Sequence, residues 1–135
     1  MEQYENLEHT ADLKIRAFGK DKKEVFVNMA KGMFDNMIDN ESLLKDQPIK
    51  REIRIDSVDL QSLLVDFLSE LLYLSDTNDE IYNKFELIFK DLELKATIAG
   101  YKVEKIKLDI KAVTYNDLVI KEKDNQWIAE VVFDI

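Results

Sequence analysis

Cysteine is absent from this 135-residue sequence, and glycine and proline are scarce, with three and one occurrences. A chain without cysteine has no disulfide, no iron–sulfur cluster, no thiolate zinc site and no thiol nucleophile. The scarcity of glycine and proline argues against flexible linkers and low-complexity tails. We therefore expect one domain over residues 1–135, long enough to bury a core without covalent staples.

Familiar catalytic and nucleotide-binding motifs are also missing. The glycines stand at positions 19, 32 and 100, too far apart for a Walker A loop or a dinucleotide-binding turn. His9 is the only histidine, which disfavours a hydrolase triad. The acidic stretches lack the Asp/Asn series, central glycine and distal glutamate of an EF-hand loop. A nucleotide-binding enzyme of a familiar type is therefore not expected.

Long apolar runs do not occur either. No stretch approaches the roughly 18 apolar residues of a membrane-spanning helix. The first residues lack the basic and then apolar regions of a secretory signal. With the absence of cysteine, these features predict a cytoplasmic protein without a membrane partner.

Acidic residues outnumber basic ones, and the net charge is −9. Direct binding of nucleic acid through its phosphates needs a positive surface, so it is not expected here. The charge suits divalent cations or a basic protein partner instead. The alternative is that the excess of acid only keeps the protein in solution.

Two segments carry helical patterns. Asp21 is placed to cap a helix of about 18 residues with a broad apolar stripe. Gly32 inside that helix weakens it, which indicates close packing at this position. Asp59 is placed to cap a second helix, whose continuous apolar face ends near residues 76–79.

Alternating apolar and polar residues predict strands through most of the remaining sequence. The pattern covers residues 13–17 and 49–56, and it continues from residue 83 onward, including residues 108–114. Residues 123–126 resemble a hairpin turn. We therefore predict an α+β fold, with two amphipathic helices packed on one face of a largely antiparallel or mixed β-sheet system.

Polar side chains crowd the segment just before the first predicted strand, where His9, Thr10 and Asp12 lie close in sequence. A loop that enters a strand can direct several polar atoms to one point. A lone histidine is more often an ordinary surface or core residue than a catalytic one. This segment alone therefore indicates neither a functional site nor an ordinary loop over the other.

The C-terminal end is more unusual. An apolar strand ends in Asp134-Ile135 without a polar tail, so we expect the terminal carboxylate to be held in place. Two negative charges so close together repel each other unless they are solvated, protonated or neutralised by a cation. Oxygen ligands suit Ca²⁺, Mg²⁺ or Mn²⁺. The alternative is an ordinary, solvated acidic end.

Lys111 lies on the polar phase of an apolar stretch, residues 110–115. A strand lysine that faces outward is usually only solvated. It could instead be a charge partner of the acidic cluster.

Taken together and in this order, several segments resemble the archease family over essentially the whole chain. They are residues 9–12, 17–19, 30–34, 63–72, 110–115 and 131–135. The first three ranges form an N-terminal segment, residues 63–72 belong to the helix from Asp59, and the last two ranges form a C-terminal segment. The N-terminal and C-terminal segments are specific, and the ordered set is stronger than any one motif.

This resemblance implies an accessory protein and not an enzyme in its own right. Archeases assist the RtcB-type RNA ligase of tRNA splicing by promoting its GTP-dependent guanylylation and multiple turnover. By position, Asp12, Asp134 and the Ile135 carboxylate match the family's site for a divalent cation, with Ca²⁺ expected and Mg²⁺ or Mn²⁺ as alternatives. Lys111 matches a lysine linked to activation, and His9 has a supporting role.

One position departs from the family pattern. Asn116 stands where the family often has histidine, and asparagine cannot titrate near neutral pH. Proton transfer at this position is therefore not expected.

Two other functions remain open: a chaperone-like modulator of a tRNA-modifying enzyme, such as a tRNA methyltransferase, and a metal-dependent hydrolase.

Overall fold

The computed structural model describes residues 2–8 and 11–135, which form two antiparallel sheets and two α-helices. In chain order the elements are β1 (Tyr4–Leu7), β2 (Leu13–Gly19), α1 (Lys22–Met37), a 3₁₀ helix (Asn40–Ser42), β3 (Leu43–Asp56), α2 (Leu60–Asn78), β4 (Glu80–Lys90), β5 (Glu93–Val103), β6 (Ala112–Val113), β7 (Val119–Lys123) and β8 (Gln126–Asp134). The larger sheet has the order β1-β2-β8-β6, with β7 also paired to β8, and the smaller has the order β3-β5-β4. The predicted α+β fold is confirmed.

Helix α1 contacts both sheets. The ring of Phe26 meets that of Phe89 on β4 edge to face, with 5.1 Å between centroids. Elsewhere on α1, a Cβ added to Gly32 would lie 2.8 Å from the ring of Tyr4 on β1 and 3.2 Å from Ile15 on β2. The glycine therefore lets the helix approach the larger sheet closely, as its sequence position indicated.

Both helices begin after an aspartate that caps the first turn. Asp21 accepts a hydrogen bond from the amide of Glu24 at 2.8 Å, and Asp59 accepts one from the amide of Ser62 at 2.7 Å. The second bond lowers the pKa of Asp59. Helix α2 ends where Asp79 turns left-handed, with a φ of 55°. Within the described part of the chain, neither helix has the length and apolarity to cross a membrane.

The prediction of a strand over residues 108–114 is wrong in length, because only Ala112–Val113 forms a strand, β6. The amides of Lys107 and Leu108 instead donate to the carbonyl of Met37, at the end of α1. The alternating pattern there belongs to a loop that packs against this helix end.

Strand β3 is longer than the expected residues 49–56, since it begins at Leu43. Its pairing with β5 shifts between Leu44 and Pro48. Proline has no amide to donate, so it is accommodated where the ladder is irregular.

A buried carboxylate links the three strands of the smaller sheet. Glu80 is only 1% exposed and accepts from Arg51 Nε at 2.6 Å and Nη2 at 2.9 Å. Tyr82 donates to it at 2.7 Å, and Lys102 Nζ lies 3.4 Å away. The Arg51 hydrogen bonds lower the pKa of Glu80 to about 2, although burial opposes the shift.

We expect Glu80→Gln to lower the free energy of unfolding at pH 7 by roughly 2 kcal/mol, because it leaves Arg51 facing a neutral amide. The depressed pKa of Glu80 stabilises the fold above its ordinary value of 4.5, and this stabilisation is lost as the pH falls toward about 2. The difference between wild type and variant should therefore shrink over that range in urea titrations.

Glu52→Gln is the matched control, because Glu52 pairs with Lys95 at 3.3 Å in an exposed position. It should change stability by less than about 0.5 kcal/mol. An equal effect of the two substitutions would contradict the structural role of the Glu80 cluster.

Candidate functional site

Four of the residues predicted as functional, Asp12, Lys111, Asp134 and Ile135, lie at one end of strand β8. One edge of β8 pairs with β2, in a register that runs from Trp127 opposite Gly19 to Phe133 opposite Leu13. The next residues outward are Asp134 on β8 and Asp12 before β2. Side chains at opposed positions of antiparallel strands lie about 5 Å apart at Cβ. Continued by one residue beyond the last printed pair, the register places Asp12 opposite Asp134, although the sequence separates them widely.

The backbone entering β2 is strained beside Asp12. Ala11 has a φ of 62°, in the left-handed region that a residue with a Cβ adopts at a cost of roughly 1 kcal/mol. Backbone strain of this kind concentrates at functional sites. This left-handed residue immediately precedes Asp12 and the start of β2.

Strand β6, on the other edge of β8, brings Lys111 to the same end of the sheet. Ala112 pairs with Asp134, and the amide of Lys111 donates to the carbonyl of Asp134 at 2.7 Å. The side chains of Lys111 and Asp134 are exposed, and Ile135 is 38% exposed. Asp12, Asp134, Ile135 and Lys111 thus share one sheet end, whereas His9 lies outside the described residues.

The sheet face behind this acidic end carries paired charges. Glu130 accepts from Arg16 Nε at 3.0 Å and lies 3.5 Å from Lys14 Nζ. Arg16 also donates to Glu5 at 2.8 Å. Ion pairs therefore link strands β1, β2 and β8 at a point four residues along β8 from Asp134, and they agree with the register that pairs Arg16 with Glu130.

The donor atoms at the site fit a hard cation. Aspartate side chains and a main-chain carboxylate offer only oxygen, which suits Ca²⁺, Mg²⁺ or Mn²⁺. Among residues 2–8 and 11–135, no group of three or more His, Cys, Asp and Glu side chains is arranged to hold a metal ion. The predicted ligand set does not have three such side chains, because its third ligand is the main-chain carboxylate of Ile135.

Asn116 lies in the turn after β6. Its amide donates to the hydroxyl of Thr114 at 3.3 Å, and Thr114 in turn donates to the carbonyl of Val132. The turn is thereby anchored to β8 through Thr114.

The sequence patterns missed an open groove beside Lys111. It has a volume of about 510 Å³ and lies between α2 and residues 109–113, with Tyr73 among its lining residues. The Tyr73 side chain is 63% exposed. An aromatic residue on the otherwise polar face of an amphipathic helix is the one signal that could have indicated this surface.

Known proteins resemble the chain over nearly its whole length. Residues 4–135 match the model of the Archease protein family. Protein archease of Methanosarcina barkeri is 42% identical over 142 aligned positions, which cover 98% of this chain and 96% of the relative. Protein archease of Pyrococcus abyssi is 35% identical, and all of both chains is covered.

Solved structures agree in fold. A solution structure of Methanobacterium thermoautotrophicum protein 1598 superposes with a TM-score of 0.75 at 31% identity, with both chains fully covered. The crystal structure of a Thermotoga maritima archease, described as a possible chaperone, gives a TM-score of 0.69 at 20% identity and covers 96% of this chain and 94% of the other. The second likeness concerns the fold alone. The family model and the identity to the curated relatives show that this chain belongs to the archease family.

Proposed function

We propose that this protein is a metal-binding accessory protein of the cytoplasm that activates an RtcB-type RNA ligase in tRNA splicing. It promotes the GTP-dependent guanylylation of the ligase and its multiple turnover, and is not itself an enzyme. The observation that carries the proposal is the β2–β8 register, whose last pair, Leu13 and Phe133, directly adjoins Asp12 and Asp134. Membership of the archease family supports the choice of partner.

In this proposal Asp12, Asp134 and the Ile135 carboxylate hold one divalent cation, with Ca²⁺ expected and Mg²⁺ or Mn²⁺ as alternatives. Carboxylates crowded at a sheet end repel one another, and a cation relieves that repulsion. The bound ion would supply positive charge for the phosphate oxygens of GTP in the ligase. Lys111, whose amide is bonded to Asp134, adds a second cation beside it.

The overall charge supports a protein partner. A net charge of −9 repels the phosphates of RNA, so the proposed role in RNA joining is exerted through the ligase. Asn116 supplies no titrating group near neutral pH, so no proton transfer is assigned to it.

We expect Asp12→Ala and Asp134→Ala each to reduce stimulation of ligase guanylylation at least tenfold and to abolish high-affinity binding of the cation. Each removes one of three proposed ligands, Asp134 from an exposed position and Asp12 from a half-buried one. Labelled-GTP transfer to the ligase measures the first effect, and calorimetric titration with Ca²⁺, Mg²⁺ and Mn²⁺ measures the second.

Asp91→Asn, in the turn between β4 and β5, is the matched control, since it also removes one carboxylate. It should stimulate the ligase and bind the cation like wild type. Normal stimulation by both site variants would show that the metal-site mechanism is wrong.

The second candidate is a chaperone-like modulator of a tRNA-modifying enzyme such as a tRNA methyltransferase. The description of the Thermotoga maritima relative as a possible chaperone is the observation that favours it. A chaperone effect depends on exposed apolar surface and not on two carboxylates. The same aspartate variants would then remain fully active, and a chelator would have no effect.

A short Gly-Ser extension after Ile135 tests the third ligand. It turns the carboxylate into an amide and keeps every side chain, so we expect weaker cation binding and weaker stimulation, each by about tenfold if one of three ligands is lost. Calorimetry and the guanylylation assay provide the measurements. The same extension placed before Met1 is the control, and equal performance of the two proteins would remove Ile135 from the site.

A further inference from the structure

The exposed face of α2 and its two flanks form one continuous surface, here called the Tyr73 band. Its floor is a stripe of helix residues spaced three or four apart, so that they share one face: Asp66, Ser69 or Glu70, Tyr73 and Asp76. Its flanks are residues 54–56 of β3 and residues 109–113 before and within β6. An open groove lies along each flank, and both grooves are lined by Ser69 and Tyr73.

The band is acidic around a single exposed ring. Two cations, Arg54 and Lys111, line the grooves together with five carboxylates, those of Asp56, Asp66, Glu70, Asp76 and Asp109. The Tyr73 side chain is 63% exposed between them. Carboxylates beside an accessible aromatic face favour an arginine or lysine, which can form ion pairs and also stack on the ring.

We propose that the Tyr73 band is the docking surface for a cationic segment of the partner protein, with an arginine or lysine of that segment over the Tyr73 ring. The proposal rests on the proposed function, because it assigns the surface by which the ligase is held. Phosphates of RNA would be repelled by the five carboxylates, and a second copy of this chain would present the same acidic band.

The position of the band links docking to the candidate site. Lys111 lines one of its grooves, and the amide of Lys111 donates to the carbonyl of Asp134 at 2.7 Å. A segment bound along α2 would therefore end next to the aligned carboxylates. The band supplies affinity and orientation for the partner, whereas Asp12 and Asp134 hold the cation that is proposed to activate it.

Binding and activation can be measured separately. Calorimetric titration of the ligase with Tyr73→Ala should show a Kd raised about tenfold, as for a central aromatic residue of an interface. The pair Asp76→Asn with Asp109→Asn should weaken binding at low salt and flatten its dependence on ionic strength. At saturating concentration these variants should stimulate guanylylation like wild type, whereas Asp12→Ala should bind normally and fail to stimulate.

Two exposed positions outside the band serve as controls. Ile88→Ala removes an apolar side chain that is 66% exposed on β4, and Asp124→Asn removes one carboxylate in the turn before β8. Both should bind the ligase like wild type.

If both the Tyr73 variant and the paired Asp variant bind the ligase with wild-type affinity, the Tyr73 band is not the docking surface. The proposed function would not be affected by that result. A wild-type protein that neither binds nor stimulates the ligase would overturn both. Self-association in sedimentation experiments that is lost in Tyr73→Ala would overturn the proposal in favour of a second copy as occupant.

Discussion

The register between β2 and β8 is the constraint on which the candidate site depends. Side chains alternate between the two faces of a sheet, so a slip of one residue would turn every side chain of a strand to the opposite face. In the observed register Ile15 and Val131 face each other, and both are fully buried. Burial of this pair fixes the register, and the register in turn brings Asp12 level with Asp134. Apolar packing in the middle of the sheet thus maintains the relative position of Asp12 and Asp134 at its end.

The two helices extend this constraint to the rest of the molecule. Helix α1 rests on the larger sheet at Gly32 and on the smaller one at Phe26, so it holds the sheets in a fixed relation. The end of α1 also binds residues 107–108 through the carbonyl of Met37. This loop leads to Lys111, whose amide reaches Asp134. Core packing, loop anchoring and the candidate site therefore form one connected structure.

Much of this structure is readable from local sequence patterns, and the remainder depends on long-range pairing. The starts of the two helices follow from Asp21 and Asp59, because a cap and an apolar stripe are local signals. Strand β1 (Tyr4–Leu7) was not predicted, since four residues form a strand only through their pairing with β2. The family resemblance indicated Asp12, Asp134 and Lys111, but only the sheet topology explains how they meet. The exposure of Tyr73 cannot be predicted from the sequence of α2 alone, because it depends on elements that flank α2 from elsewhere in the chain.

Nuclear magnetic resonance with paramagnetic Mn²⁺ tests the proposed metal site most directly, because it locates the bound ion. Mn²⁺ is one of the ions proposed for the site, and it broadens the signals of nearby amides selectively. We expect early loss of the amide signals of Leu13, Lys111 and Asp134. The signals of residues 123–126 should persist, since the far end of β8 is roughly 30 Å away at 3.4 Å per residue. Broadening centred on any other part of the molecule, or none that is selective, would contradict a metal site at the aligned carboxylates.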